Sequence, residues 1–263
     1  TSLIKAISTT FTLSTSTYIP CMRIIRAPSI GIAHELVVKM VLEKGRVLDT
    51  EDGEATVEFD EIAVRVENPL AEPMVSPHSR FSRKFMEKYA DDLLNGTSAV
   101  FEYDYHDRIF NWGERLYTSE GAEIHVDQIE YITRKLASSP VTRRGIAITW
   151  NPPIDEHLDD CPCLQLLQCL VRDGRLGMKV VFRSNDMLTA SGANMFALVH
   201  LQNAIATRLG VPPGPYTHIS LVPHIYYRRD VDDLESFCGK GDRIRPIDEV
   251  CRACGKCRSA GRN

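Results

Sequence analysis

Two cysteines flank a proline in Asp160-Cys161-Pro162-Cys163, and Arg183 and Ser184 follow downstream. A cysteine alone reads as a small buried hydrophobe. Beside a guanidinium it gains a second reading, because a nearby cation favours the thiolate, the nucleophilic form. A hairpin between the two segments would return Arg183 and Ser184 to the cysteines. Arg143 and Arg144 are two further cations, read either as a solvated pair or as anion ligands. Three guanidinium forks and a serine hydroxyl together suit a phosphomonoester. The residues alone do not choose between Cys161 and Cys163, since side chains two apart in an extended segment share a face. A second set, Cys238, Cys251, Cys254 and Cys257, lies in the tail among Gly239, Gly241 and Gly255. Four thiolates so spaced suit tetrahedral Zn²⁺ or an iron-sulfur cluster, the alternative being four unliganded thiols.

The elements that must carry these groups can be read from pattern. The 263 residues are 43% hydrophobic and 25% charged, the composition of a globular chain with one large core. A net charge of -4 argues against a general nucleic-acid binder. No apolar run approaches the ~20 residues needed to cross a bilayer, so the expected location is the cytoplasm. Residues 1–21, rich in Ser and Thr, read as a disordered extension ahead of Met22, with a transit-like segment as the alternative. A helix is expected over 29–44, capped by Ser29 and stopped by Gly45. A hairpin over 46–49 and 55–66 turns at Glu51-Asp52-Gly53. A helix over 79–95 repeats Phe81, Phe85, Tyr89 and Leu93, a stripe that reads as core. After an irregular stretch over 101–121 come a helix over 126–138 and a buried strand over 145–150. Asp173-Gly174 then closes a hairpin of 164–172 with 175–184. A long apolar helix over 193–209 ends at Gly210, and 216–227 reads as a strand.

From Pro162-Cys163 through Gln168, Asp173-Gly174, Arg183-Ser184, Asp186, Asn194 and His224-Ile225-Tyr226, the chain resembles the thymidylate synthases without a gap. Asp127-Gln128-Ile129, Arg143-Arg144 and Trp150-Asn151 keep the same register, so the likeness spans residues 127–237. Tyr103 to Phe110 is similar to the archaeal branch. The resemblance implies an α/β fold of one domain over 22–237, a large mixed sheet packed by helices, with two such sheets face to face in a homodimer. It implies that Cys163 attacks C6 of dUMP. Arg183 and Ser184 would hold the phosphate, joined by Arg143 and Arg144 from the second subunit. Asn194 would read the base, His224 and Tyr226 the ribose hydroxyl, and Asp186 would face the reduced pterin, 5,10-methylenetetrahydrofolate or a methanopterin analogue. Tyr103 and Tyr105 compete for the tyrosine that assists removal of the C5 proton.

Several positions depart from the bacterial pattern. Leu164 follows the nucleophile where bacterial relatives carry His, Val222 replaces an acid, and the catalytic Glu has only Glu87 as a candidate, a residue that reads better as solvated. Two alternatives to a dTMP-forming synthase follow. One is a pyrimidine hydroxymethylase, in which water replaces hydride. The other is a non-catalytic nucleotide- or metal-binding module. Asn194 favours uracil, since a cytosine reader would carry Asp there.

Overall fold

The computed structural model describes residues 22–99, 104–113 and 118–238. Residues 1–21, Tyr103, Cys251, Cys254 and Cys257 lie outside the described residues. The strands are β1 (Arg23–Ala27), β2 (Arg46–Asp49), β3 (Ala55–Glu58), β4 (Ile62–Val66), β5 (Ile146–Ile148), β6 (Leu164–Arg172), β7 (Arg175–Phe182), β8 (Asn185–Asp186), β9 (Pro213–Ser220) and β10 (Pro223–Ile225). The helices are α1 (Ile30–Lys44), α2 (Arg83–Asn95), α3 (Tyr105–Phe110), α4 (Gln128–Ser138), α5 (Pro152–Asp155), α6 (Ser191–Leu209) and α7 (Val231–Cys238).

The large mixed sheet runs β1-β4-β9-β7-β6-β5, and a smaller sheet runs β2-β3-β10-β8. Helix α6 is apolar nearly all round and correspondingly buried, packed on β7 and β9 and flanked by α1, α2 and α4. Its end is set by Gly210, whose left-handed backbone (φ 68°) is open to glycine at no steric cost. The β6–β7 hairpin turns at Asp173 and Gly174, both at positive φ (51° and 70°), as a two-residue turn matched to strand twist requires.

Two expected strands are corrected. The segment 55–66 divides into β3 of the small sheet and β4 of the large one, and 216–227 divides into β9 and β10. Alternation of apolar residues reports that a chain is extended and half buried, not which sheet it joins. The chain also passes from large sheet to small between β7 and β8, so three passages lie along one seam. Backbone bonds stitch it: Phe59 N–H donates to the Pro223 carbonyl (3.0 Å), Asn185 N–H to Val222 (3.1 Å) and Leu221 N–H to Phe182 (2.9 Å).

Strand β5 was expected to be buried but is an edge strand, with Ile146 and Ile148 37% and 40% exposed on the face away from the helices. The aromatic stripe of the helix expected over 79–95 is corrected at one position: Leu93 is in the core with Met86 and Ala90, Phe81 and Tyr89 are half buried against it, and Phe85 is exposed. The helix itself starts later than expected, because Ser82 accepts from Phe85 N–H as its N-cap. Strand β1 and helices α3 and α7 had no sequence signal strong enough to name them.

Candidate active site

Cys163 sits half buried at the entrance to β6, where the seam opens. Leu164 pairs with Phe182, but the next pair is Leu166 with Val181, so Gln165 is an extra residue in β6. Such a bulge takes backbone groups out of the ladder and leaves them needing other partners. Side chains supply them. Leu164 N–H donates to the Tyr105 hydroxyl (2.9 Å), the Thr149 hydroxyl donates to the Leu164 carbonyl, and the Gln165 amide donates to the Pro162 carbonyl (2.6 Å). The cysteine is thus carried on a braced strand end.

Arg183, directly after β7, braces the other side. Its backbone N–H donates to the Cys163 carbonyl (2.8 Å), its Nε to the Pro162 carbonyl (3.1 Å) and its Nη2 to the Cys161 carbonyl (2.7 Å). The guanidinium thus holds, by its carbonyl oxygens, the loop that presents Cys163. A third cysteine, Cys169, is fully buried within β6, and burial pushes its thiol up to about 12. A thiol so hard to ionise is a packing group.

Across the seam, β8 pairs with β10 in parallel, bringing Asp186 level with His224. The Ser184 hydroxyl lies 3.3 Å from His224 Nδ1, and the His224 ring meets Tyr226 edge-on with centroids 5.0 Å apart. Burial raises the Tyr226 phenol above its ordinary value, opposed by the Arg229 guanidinium 4.0 Å above the ring. Asp186 is heavily engaged. It accepts from the N–H groups of Leu188 and Thr189 (both 3.0 Å), the Thr189 hydroxyl (2.6 Å) and Arg229 (2.8 Å), which anchors the turn into α6.

That turn fixes the start of α6 and with it Asn194, which is 8% exposed. Its Oδ1 accepts from the Tyr89 hydroxyl (3.0 Å). Tyr89, Tyr105, Leu164, Phe182 and Asn194 border one small cavity of about 10 Å³, near the lower bound for holding a single water. Tyr105 is held there from below, because its helix is tied to α5 by a bidentate pair of Arg108 with the buried Asp155 (2.6 and 3.1 Å). Asp104 caps the same helix by accepting from His106 N–H (2.6 Å).

A model of the family described as thymidylate synthase matches residues 83–246, which takes in every one of these groups. The chain belongs to the thymidylate synthase family. It is 38% identical over 221 residues to a protein of Methanocaldococcus jannaschii named "Putative thymidylate synthase", covering 82% of this chain and 96% of that one. A Methanosarcina acetivorans protein of the same name is 36% identical over 205 residues, covering 78% and 89%. The Methanopyrus kandleri protein of that name is 38% identical over 148 residues, covering 56% and 65%. All three come from archaea, as the Tyr103 to Phe110 segment suggested.

Within this thymidylate synthase domain the structure brings together Cys163, Arg183, Ser184, Asp186, Asn194, His224 and Tyr226 along the seam, with Tyr105 behind Leu164. It does not bring Arg143 and Arg144 to them. Both are exposed on the loop entering β5, where Gln168 grips the Arg143 carbonyl (3.0 Å). Glu87 faces outward, paired with Arg83 (3.1 Å). Cys238 ends α7, and the rest of the tail set is outside the described residues. Among the described residues no group of three or more His, Cys, Asp or Glu side chains is arranged to hold a metal, and no helix is long and apolar enough to cross a membrane. Sequence reasoning missed Tyr89, Thr149 and Gln165 as supports of the site.

Proposed function

We propose that this chain makes dTMP from dUMP, with Cys163 as the covalent nucleophile and a methylene-carrying reduced pterin as co-substrate. The observation that carries the reading is the meeting of a cysteine, its bracing arginine and a buried amide at the seam between the two sheets. Addition of the Cys163 thiolate to C6 moves an electron pair onto O4, where the Asn194 amide N–H can stabilise the developing charge. C5, now nucleophilic, bonds to the methylene carbon. Loss of the C5 proton follows, which Tyr105 would assist. The pterin nitrogen separates from the new exocyclic methylene, the tetrahydropterin then gives that carbon a hydride and leaves as the dihydropterin, and expulsion of the Cys163 thiolate completes the reaction. Covalent addition divides one difficult step into easier ones. Ser184, with Arg183, forms the phosphate end; His224 and Tyr226 take the ribose hydroxyl; Asp186 and its Arg229 partner border the co-substrate side.

The geometry also supports a homodimer joined through the large sheets. Ile24, Ile146 and Ile148 are exposed apolar side chains on the strands of the large sheet. Arg143 and Arg144, remote from their own Cys163, would complete the phosphate site of the second subunit. Asn194 favours this reading over hydroxymethylation of a cytosine nucleotide. The test is tritium release from [5-³H]dUMP with a panel of reduced pterins, recording product mass. Release with a net mass gain of one CH₂ is expected. A hydroxymethyl product, or no release with any pterin, would defeat the proposal.

A further inference from the structure

Helix α6 begins without a side-chain cap. Ala190, the residue before it, has no oxygen to offer the orphan N–H groups of the first turn, which also carries Asn194. Other groups must therefore fix where the helix starts. Asp186 holds one end of the entering turn, as described, and the Ser191 hydroxyl donates to the Met187 carbonyl (2.8 Å). A third tie comes from far away in the chain, from His34 on α1.

His34 is buried, and its Nε2 lies 3.0 Å from the Met187 carbonyl oxygen and 3.1 Å from that of Leu188. A carbonyl oxygen can only accept, so Nε2 carries the hydrogen and donates to both. Burial holds the imidazole below its ordinary pKa, so near neutral pH the ring has this one N–H. Its other edge is seated on α6. A Cβ at Gly192 would lie 2.8 Å from His34 Nδ1 and 3.0 Å from Cε1, so the ring fills the place of a side chain there. Phe237 of α7 meets the ring edge-on, with centroids 5.4 Å apart. The imidazole is thus wedged between the turn that it bonds and the helix that it abuts.

We infer that His34 is a positioning residue that aims Asn194 at the base: its N–H holds the Met187 and Leu188 carbonyls, and its ring sets the first turn of α6 against α1. The inference rests on the reading of Asn194 as the base-contacting residue. It adds to that reading a residue that has no need to touch the nucleotide.

The test uses the full chain. Kd values for dUMP and for 2-deoxyribose 5-phosphate, which keeps sugar and phosphate but has no base, are measured by calorimetry, with melting curves to show that each variant is folded. His34→Leu removes the N–H, and the Kd for dUMP should rise about tenfold, the size of one buried hydrogen bond, while that for the sugar phosphate stays unchanged. His34→Gln should restore dUMP binding, because its amide N–H₂ reaches to where Nε2 lay; His34→Asn, one methylene shorter, should not. Gly192→Ala should weaken dUMP binding by pushing the ring off the carbonyls, and should add little in a His34→Ala background. Should His34→Leu melt early, His34→Asn carries the same comparison. Equal weakening of both ligands, or a His34→Gln variant no better than His34→Leu, would show a general structural role and overturn the inference. Asn194→Ala separates the two readings. If it weakens dUMP binding and the folded His34 variants do not, the inference alone falls; if it leaves dUMP binding at the wild-type value, the base-reading role fails and the inference with it.

Discussion

Combining two inactive variants should restore activity if the phosphate site is shared between subunits. One variant is Cys163→Ser; the other carries Arg143→Ala with Arg144→Ala. In β5, Ile146 pairs with Gln168 and Ile148 with Leu166, which extrapolates to Arg144 level with Leu170. Leu170 lies six residues along β6 from Leu164, roughly 20 Å at about 3.3 Å per residue. No side chain of that loop closes such a gap to a hydrogen bond with a phosphate held by its own Arg183. Each purified heterodimer then has one site with intact Cys163 and intact arginines, and one lacking both. Two differently tagged variants, co-expressed and purified through both tags, should show about half the wild-type rate of tritium release from [5-³H]dUMP, while each homodimer is nearly inactive. Heterodimers that form but stay inactive would refute the argument from strand register. So would a fully active Arg143→Ala, Arg144→Ala homodimer.

With 5-fluoro-dUMP and the correct pterin, intact mass should show a stalled ternary adduct that maps to Cys163. Cys163→Ser should lose nearly all turnover yet bind dUMP, Cys161→Ser should keep most activity because only its backbone carbonyl holds Arg183, and an adduct on Cys161 would reverse the assignment. Burial lowers the pKa of His218 to about 3, so the unfolded state takes up a proton between about pH 6.5 and 3 that the folded state does not. Its stabilising contribution is complete above about pH 6.5 and is lost as pH falls towards 3. Urea midpoints should therefore fall less steeply over that range in His218→Gln, and parallel slopes would show that His218 does not titrate this way. The tail cysteines should bind close to one metal ion per chain in protein purified without oxygen, and elemental analysis finding under about a tenth of an equivalent would remove that expectation.

The parts of the fold that were legible in the sequence are those with a local cause. Ser29 and Gly45 bound α1 because capping is settled within a few residues, and Asp173-Gly174 closes its hairpin because only certain residues accept positive φ. The division of 55–66 and 216–227 between two sheets was not legible, since it depends on hydrogen bonds between segments far apart in the chain, such as Phe59 to Pro223. In the site, Cys163 and Arg183 were legible through a hairpin that returns one to the other. Tyr89 was hidden because a half-buried tyrosine in an apolar stripe has the same pattern as a core residue, and only the neighbour at Asn194 distinguishes them. The bond of Arg183 to the loop carbonyls was likewise hidden, as backbone acceptors leave no mark on residue type.

The extra residue at Gln165 lets β6 run one residue longer than its partner strand without turning any side chain over. Paired residues share a face, and Leu164 opposite Phe182 and Leu166 opposite Val181 keep one alternation on both sides of Gln165. Deleting Gln165 would restore a regular ladder and leave Cys163 on its own face; what would go is the bulge and the Gln165 amide bond to the Pro162 carbonyl that holds the cysteine loop. A residue lost between Leu166 and Arg172 has no such slack and reverses the alternation on one side of the change. Slack in the length of this strand is therefore gathered at its mouth, beside the cysteine.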